Sequence, residues 1–213
     1  MIFSIFKRTI DIVGSSVLLL VFSPIVLVTA VIIKITSPGP VFADTPKRVG
    51  MNGNLFYPYK FRSMIVNAYT LLKTDPKFKK AYEEQQKSGN YKIKNDPRVT
   101  PIGKIIRKHS VDEIPQLINV LRGEMSIVGP RPYYPDELEK QFQIYPEKKH
   151  LMKDLLSVRP GITGYWQVSG RSSVNFEKRI EMDAYYARKR SILFDIQILI
   201  KTPWAMISGK DTV

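Results

Sequence analysis

From Ile12 to Ile33 the chain runs through 22 residues without a charge, bounded by Lys7-Arg8 before it and Lys34 after it. At about 1.5 Å per residue, a helix of that length matches the roughly 30 Å hydrocarbon core of a bilayer. The run lacks the small-residue cleavage site of a secretory signal, so it is expected to be retained. Ser23-Pro24 stands at its middle, where proline removes one helical hydrogen bond and bends the axis. Two geometries satisfy this pattern. One is a plain spanning helix with a tolerated proline; the other is a helix-break-helix that enters and leaves on one face.

Beyond Ser37-Pro38-Gly39-Pro40 the pattern shortens. Lys47-Arg48-Val49 and Leu55-Phe56-Tyr57 flank Asn52-Gly53, a strong hairpin signal. Lys60 and Arg62 alternate with Tyr59 and Phe61, which in a strand puts both cations on one face. Residues 66–88 read as helical and heavily charged, with Leu71, Leu72, Phe78 and Tyr82 as packing positions and Asp75-Pro76 opening a second helix; a Gly89-Asn90 loop follows. Thr100-Pro101 predicts an N-cap with proline in the first helical position, and a short helix to about Lys108. Residues 136–156 read as helix with a pause at Tyr145-Pro146, residues 157–173 as a loop, and residues 176–190 as a helix with Asp183 and Tyr186 sharing a face. The last segment, 191–207, carries an apolar stripe of Ile192, Leu193, Ile196, Leu199, Ile200 and Trp204, with Lys201 and Lys210 flanking. That suits either a helix in the membrane interface or an amphipathic core helix.

The 213 residues suit one compact domain with an appendage. A net charge of +14 calls for an acidic partner: anionic lipid, nucleic acid or a phosphorylated substrate. Nucleic acid leaves the apolar N-terminal run unexplained. With no cysteine there is neither disulfide nor thiolate metal site, and His109 and His150 are too far apart in sequence to suggest zinc.

Candidate chemistry concentrates between Arg107 and Pro132. Asp112-Glu113 lies between the basic run Arg107-Lys108-His109 and the rigid Pro130-Arg131-Pro132. Proline is harmless in the first three helical positions, so Pro115 predicts Asp112 as N-cap, Glu113 as first helical residue and Gly123 as the helix end. A carboxylate placed there is ordinarily only a cap. Beside helical N–H groups and four cations (Lys60, Arg62, Arg107, Arg131) it also has the makings of a phosphate site. The loop at 157–173 brings Gly161, Gly164 and Gly170 together with Arg159, Trp166 and Arg171. Such loops can cradle phosphate, but this one matches neither the P-loop nor the dinucleotide fingerprint.

HSVDEIPQL, NVLRGEMSIVGPRP and RPGITGYWQVSGR, with KFRSM and SILFDIQILIKT in the same order, resemble the bacterial sugar transferases over nearly the whole chain. These are monotopic phosphoglycosyl transferases. The resemblance implies a mixed α/β, mostly helical fold: a re-entrant membrane helix over residues 1–37, kinked at Ser23-Pro24, and a cytoplasmic catalytic domain over 38–213 with a short β-hairpin and interfacial helices. It implies a nucleotide donor such as a UDP-sugar, polyprenyl (undecaprenyl) phosphate as acceptor, and membrane lipid as partner at a bacterial inner membrane. It leaves room for a homodimer, and for either a short family member or a piece of a longer one. Asp112 would attack the sugar-bearing phosphate, with Glu113 tuning the site and both carboxylates holding Mg2+. Lys60, Arg62, Arg107 and Arg131, with Pro130, Pro132, Arg159 and Asp183, would bind substrate. Two other readings stay open: a membrane-anchored basic lipid- or nucleic-acid-binding protein without turnover, and an aspartyl-phosphate phosphohydrolase.

Overall fold

A computed structural model describes all residues except 1, 89–92, 94, 171–173 and 208–213. Helix α1 (Ile2–Thr36) is continuous and passes through Pro24. The expected division into two helices at Ser23-Pro24 is therefore not seen as a break. Pro24 has no N–H for the Leu20 carbonyl, and the Ser23 hydroxyl supplies the missing donor at 2.7 Å. Phe3–Thr36 is long and apolar enough to cross a membrane, and little of its apolar run is buried. What is buried or half-buried follows steps of three and four residues: Asp11, Ser15, Thr29 and Ile33 are buried, with Leu18, Phe22 and Val26 half-buried between them. That spacing is a single helical stripe, and it faces the rest of the protein. Leu18 packs on a core of Phe56, Val120, Met125 and Val128. Val26, Ala30 and Ile33 pack on Phe61 and Ile106. The opposite face, including Leu20, Val21, Leu27 and Ile35, is exposed.

The body under α1 begins with an antiparallel hairpin, β1 (Arg48–Val49) and β2 (Leu55–Phe56). Its turn has Asn52 and Gly53 at φ 58° and 79°, as the Asn-Gly pair predicts. Helices α2 (Ala68–Thr74) and α3 (Lys79–Ser88) follow, joined by a 3-10 turn capped by Asp75. Helix α4 (Pro101–Lys108) is N-capped by Thr100, whose hydroxyl accepts from Gly103 N–H at 3.0 Å. Helix α5 (Gln116–Arg122) ends at Gly123, φ 81°.

Strand β3 (Ser126–Val128) pairs in parallel with β4 (Gly161–Thr163). The connection between them holds α6 (Pro135–Ile144), a 3-10 stretch (Pro146–Leu151) and α7 (Met152–Leu156), so the predicted pause at Tyr145-Pro146 is a change of helix. Helix α8 (Tyr165–Ser169) lies where a loop was predicted; α9 (Phe176–Lys189) and α10 (Ile192–Ile207) finish the described chain. Gly161 and Gly164 are explained by backbone contact: a Cβ would lie 2.1 Å from Gly129 N and 2.2 Å from Gly129 O respectively. Close strand packing, and no phosphate cradle, accounts for those two. Arg171 lies outside the described residues. On α10, Ile198 and Asp195 are buried while Leu193, Ile200 and Trp204 are 67, 73 and 77% exposed. The helix thus has one face on the domain and an unpartnered apolar face beyond it.

Candidate active site

The sequence folds locally so that the two acids stand on a tight turn. Helix α4 ends at Lys108, and Ser110 takes the left-handed conformation at φ 55°, which is uncommon for a residue other than glycine. That reversal feeds a 3-10 turn, Val111–Glu113, in which Glu113 N–H bonds Ser110 O and Ile114 N–H bonds Val111 O. Asp112 is therefore not the N-cap of α5, as the position of Pro115 had suggested. The turn already uses the amides that a capping carboxylate would serve, and Pro115 itself precedes the first residue of α5. The consequence is chemical. Asp112 is 8% exposed, and its own backbone N–H faces its carboxylate, to which no other described residue donates a hydrogen bond.

The segment after β2 supplies the first cation. Asn119, fully buried on α5, accepts from Tyr59 N–H and donates to Tyr57 O, both at 2.8 Å. Phe61 N–H donates to Asp112 O at 3.0 Å. These bonds fix Lys60, whose Nζ meets Glu113 Oε1 at 2.6 Å. Burial raises the Asp112 carboxyl, Lys60 opposes that, Glu113 adds to it and Arg107 opposes it, with a net upward shift. Burial also pushes Glu113 up, but Lys60, Arg131 and Arg48 outweigh it and hold that acid below its ordinary value. The two adjacent carboxyls are thus pushed apart. Glu113 is committed to its lysine, and Asp112 is a desolvated carboxyl with no hydrogen bond from any other described residue.

Arg131 comes from the turn after β3. Its backbone N–H donates to Asp183 Oδ2 at 3.1 Å, and Tyr133 hydroxyl donates to the same oxygen at 2.8 Å. Asp183, fully buried on α9, is thereby a support for the Arg131 turn. Burial pushes its carboxyl up to about 7, against those two bonds and the charges of Arg179 and Arg131. The Arg131 guanidinium lies 5.4 Å from the Trp166 ring centre, as does that of Arg179. Arg131 Nε and Arg107 Nη1 are buried without a partner. Pro130 O accepts from Gly161 N–H at 2.8 Å, tying the turn to β4, and Pro132 follows Arg131 as a second rigid residue.

Two expected substrate ligands are occupied elsewhere. Arg62, expected to share the Lys60 face, is 4% exposed and donates to Pro40 O, Ser37 Oγ, Pro38 O and Ser37 O. It closes the chain just past α1, where helix carbonyls need donors. Arg159 Nε donates to Gly123 O at 2.8 Å, beside Arg8, which donates to Val120 O and Leu121 O. Both cap the negative end of α5. Arg48 and Tyr133 were missed from sequence. A cation in a hairpin arm reads as surface, and nothing local marks it otherwise.

Among the described residues no cluster of three His, Cys, Asp or Glu could cage a metal. Asp112 and the second oxygen of Glu113 would supply a hard, two-carboxylate donor set. That fits magnesium, which takes one or two carboxylates and completes its shell with water and substrate phosphate. A cavity of about 510 Å³ between Lys148, Tyr165, Lys178 and Arg188 is lined by none of these residues.

Residues 2–209 match the family model described as bacterial sugar transferase. The chain belongs to that family. It is 42% identical to the undecaprenyl-phosphate galactose phosphotransferase of Salmonella typhimurium, over 92% of this chain and 39% of that protein. It is 41% identical to the exopolysaccharide production protein ExoY of Rhizobium meliloti, over 92% of this chain and 83% of that protein. It is 40% identical to the UDP-glucose:undecaprenyl-phosphate glucose-1-phosphate transferase of Escherichia coli, over 92% of this chain and 39% of that protein. The chain therefore spans about two fifths of two of these relatives and most of the third.

Proposed function

We propose that this protein transfers a sugar phosphate from a nucleoside diphosphate sugar to a polyprenyl phosphate, through a covalent intermediate on Asp112. The observation that carries this reading is a buried carboxylate, without a hydrogen bond from any other described residue, among Lys60, Arg107 and the Arg131 turn, in a chain two of whose relatives are named for undecaprenyl phosphate. UDP-sugars are the donor class that fits those names.

In the first step an Asp112 oxygen attacks the sugar-bearing phosphorus. The bond from that phosphorus to the bridging oxygen breaks, and the electron pair leaves on a nucleoside monophosphate. In the second step an oxygen of the polyprenyl phosphate attacks the same phosphorus and Asp112 leaves, giving a polyprenyl diphosphate sugar. One difficult displacement becomes two easier ones. Burial favours attack because the carboxylate has little hydration to shed. Lys60 and Arg131 neutralise charge on the non-bridging oxygens, which is most of what phosphoryl transfer requires of a protein. Glu113 keeps Lys60 in place. Magnesium, held by Asp112 and Glu113 when bound, would add cationic charge at the phosphate oxygens.

The lipid substrate requires membrane contact, and α1 offers it. We read α1 as re-entrant, with both ends on the cytoplasmic side of a bacterial inner membrane. A span would carry some 20 residues away from the domain. Here the buried stripe recurs at every turn from Asp11 to Ile33, and both ends rest on one body. The exposed apolar face of α10 supplies a second interfacial contact.

The test is a panel of nucleoside diphosphate sugars with polyprenyl phosphate and magnesium. Release of nucleoside monophosphate that depends on the lipid supports the reading. Turnover with water alone would indicate the hydrolase, and no release from any donor would favour the non-catalytic binding protein.

A further inference from the structure

Arg48 takes part in none of the steps above, yet its setting differs from that of an ordinary hairpin cation. Val49 N–H donates to Tyr133 O at 2.9 Å, which stitches β1 to the turn carrying Arg131. The Arg48 guanidinium lies against the Tyr134 ring, 3.1 Å from its centre. Tyr134 in turn stacks on Tyr69, with ring centres 6.2 Å apart. The side chain is therefore held in one place. Its Nη1 is buried with no partner, and so is Nε of Arg131.

The charges around it do not balance locally. Arg48 is held below its ordinary value by burial first, and the charge of Arg131 lowers it further while Tyr134 and Glu137 oppose that. Glu113 feels Lys60, Arg131 and Arg48 together, but its Oε1 is taken by Lys60. Glu137 accepts from Tyr134 N–H and lies 3.8 Å from Arg179. Neither Arg48 nor Arg131 forms an ion pair with any described carboxylate. Burial lowers Arg131, but Glu137 and Glu113 outweigh it and hold that guanidinium above its ordinary value; each of the two arginines still keeps a buried N–H open, which is costly. A multivalent oxyanion would satisfy both at once.

We propose that Arg48 and Arg131 together form an anion site that grips the phosphate oxygens of a substrate beside the Asp112-Glu113 turn. The inference rests on the transferase reading for its ligand. The shared chemistry is a phosphate ester, either the diphosphate of the nucleotide sugar or the monoester of the polyprenyl phosphate. The rival account is that Arg48 serves only to pack against Tyr134.

The full chain in detergent distinguishes these possibilities. Arg48→Met keeps an unbranched side chain whose thioether can lie on the Tyr134 ring where the guanidinium lay, but loses charge and fork; Arg48→Lys keeps the charge alone. Binding of inorganic pyrophosphate, measured by calorimetry, should weaken by between about 10- and 100-fold in Arg48→Met, with partial recovery in Arg48→Lys. The melting temperature of Arg48→Met should hold or rise, since an unpaired buried cation is gone. Two half-reactions locate the ligand. Slower formation of the covalent adduct from nucleotide sugar alone assigns Arg48 to donor phosphates. Slower discharge of a preformed adduct by polyprenyl phosphate assigns it to the acceptor. Unchanged pyrophosphate affinity with unchanged rates in both halves would overturn the proposal while leaving the transferase reading intact. A lower melting temperature with binding unaltered would establish the packing role instead. Should no donor give an adduct, the pyrophosphate measurement still decides whether Arg48 holds an anion.

Discussion

The hydroxyl of Ser23 donates to the carbonyl oxygen of Leu20 at 2.7 Å, the one carbonyl in α1 that Pro24 leaves without its helical partner. In lipid such a group has no water to turn to, and each unsatisfied one costs several kcal/mol. Ser23→Ala should therefore destabilise the protein by about 1–3 kcal/mol. The same change made on top of Pro24→Ala should cost almost nothing, because the restored amide then serves Leu20. Thermal unfolding of the two single variants and the double variant in detergent checks this. Equal costs in both backgrounds would show that the hydroxyl has another role.

Topology follows from the stripe on α1. Single cysteines at Ser4 and Thr74, both exposed, can be introduced into this cysteine-free chain. A membrane-impermeant thiol reagent should label neither in intact cells and both once the membrane is opened. Labelling of Ser4→Cys in intact cells would establish a span.

Much of this architecture was legible in sequence because the signals were local. Thr100 caps α4, Gly123 ends α5, Asn52-Gly53 turns the hairpin, and the apolar run is α1. The β3–β4 pair was not legible, since each strand is three residues long and they meet across some 30 positions of chain. The fate of cations was harder still. Lys60 and Arg62 differ little as a pattern, and only tertiary packing sends one to Glu113 and the other to the chain after α1. Asp112 was found through its neighbours, but its cap role was wrong because a left-handed Ser110 cannot be read from a serine.

That difference between arginines is measurable. Arg131→Ala should lower kcat/KM for the donor by at least about 10-fold with little change in melting temperature, and Arg131→Lys should recover part of it. Arg62→Ala should do the reverse, losing stability while the folded fraction turns over normally. An unchanged kcat/KM in Arg131→Ala, or a kinetic defect confined to Arg62→Ala, would exchange the two assignments.

Asp183 gives a pH signature. Burial lifts its carboxyl to about 7, against an ordinary value near 3.9. Between those values the folded protein keeps a proton that the unfolded chain releases. Its contribution to stability therefore declines as pH rises from about 4 to about 7, then levels. Asp183→Asn lacks this decline, so its melting temperature relative to wild type should climb between pH 5 and pH 8. A difference independent of pH would contradict the assignment.

The covalent role of Asp112 is the claim on which the rest depends, and intact mass spectrometry addresses it directly. Wild type mixed with its nucleotide sugar and magnesium, without lipid, should gain the mass of one sugar phosphate. Peptide mapping should place that mass on Asp112, with one nucleoside monophosphate released per adduct. Adding polyprenyl phosphate should discharge it. Asp112→Asn should fold, form no adduct and fail to turn over, because an amide keeps the shape but cannot attack phosphorus. An Asp112→Asn protein that turns over normally, or an adduct mapped to another residue, would contradict the account.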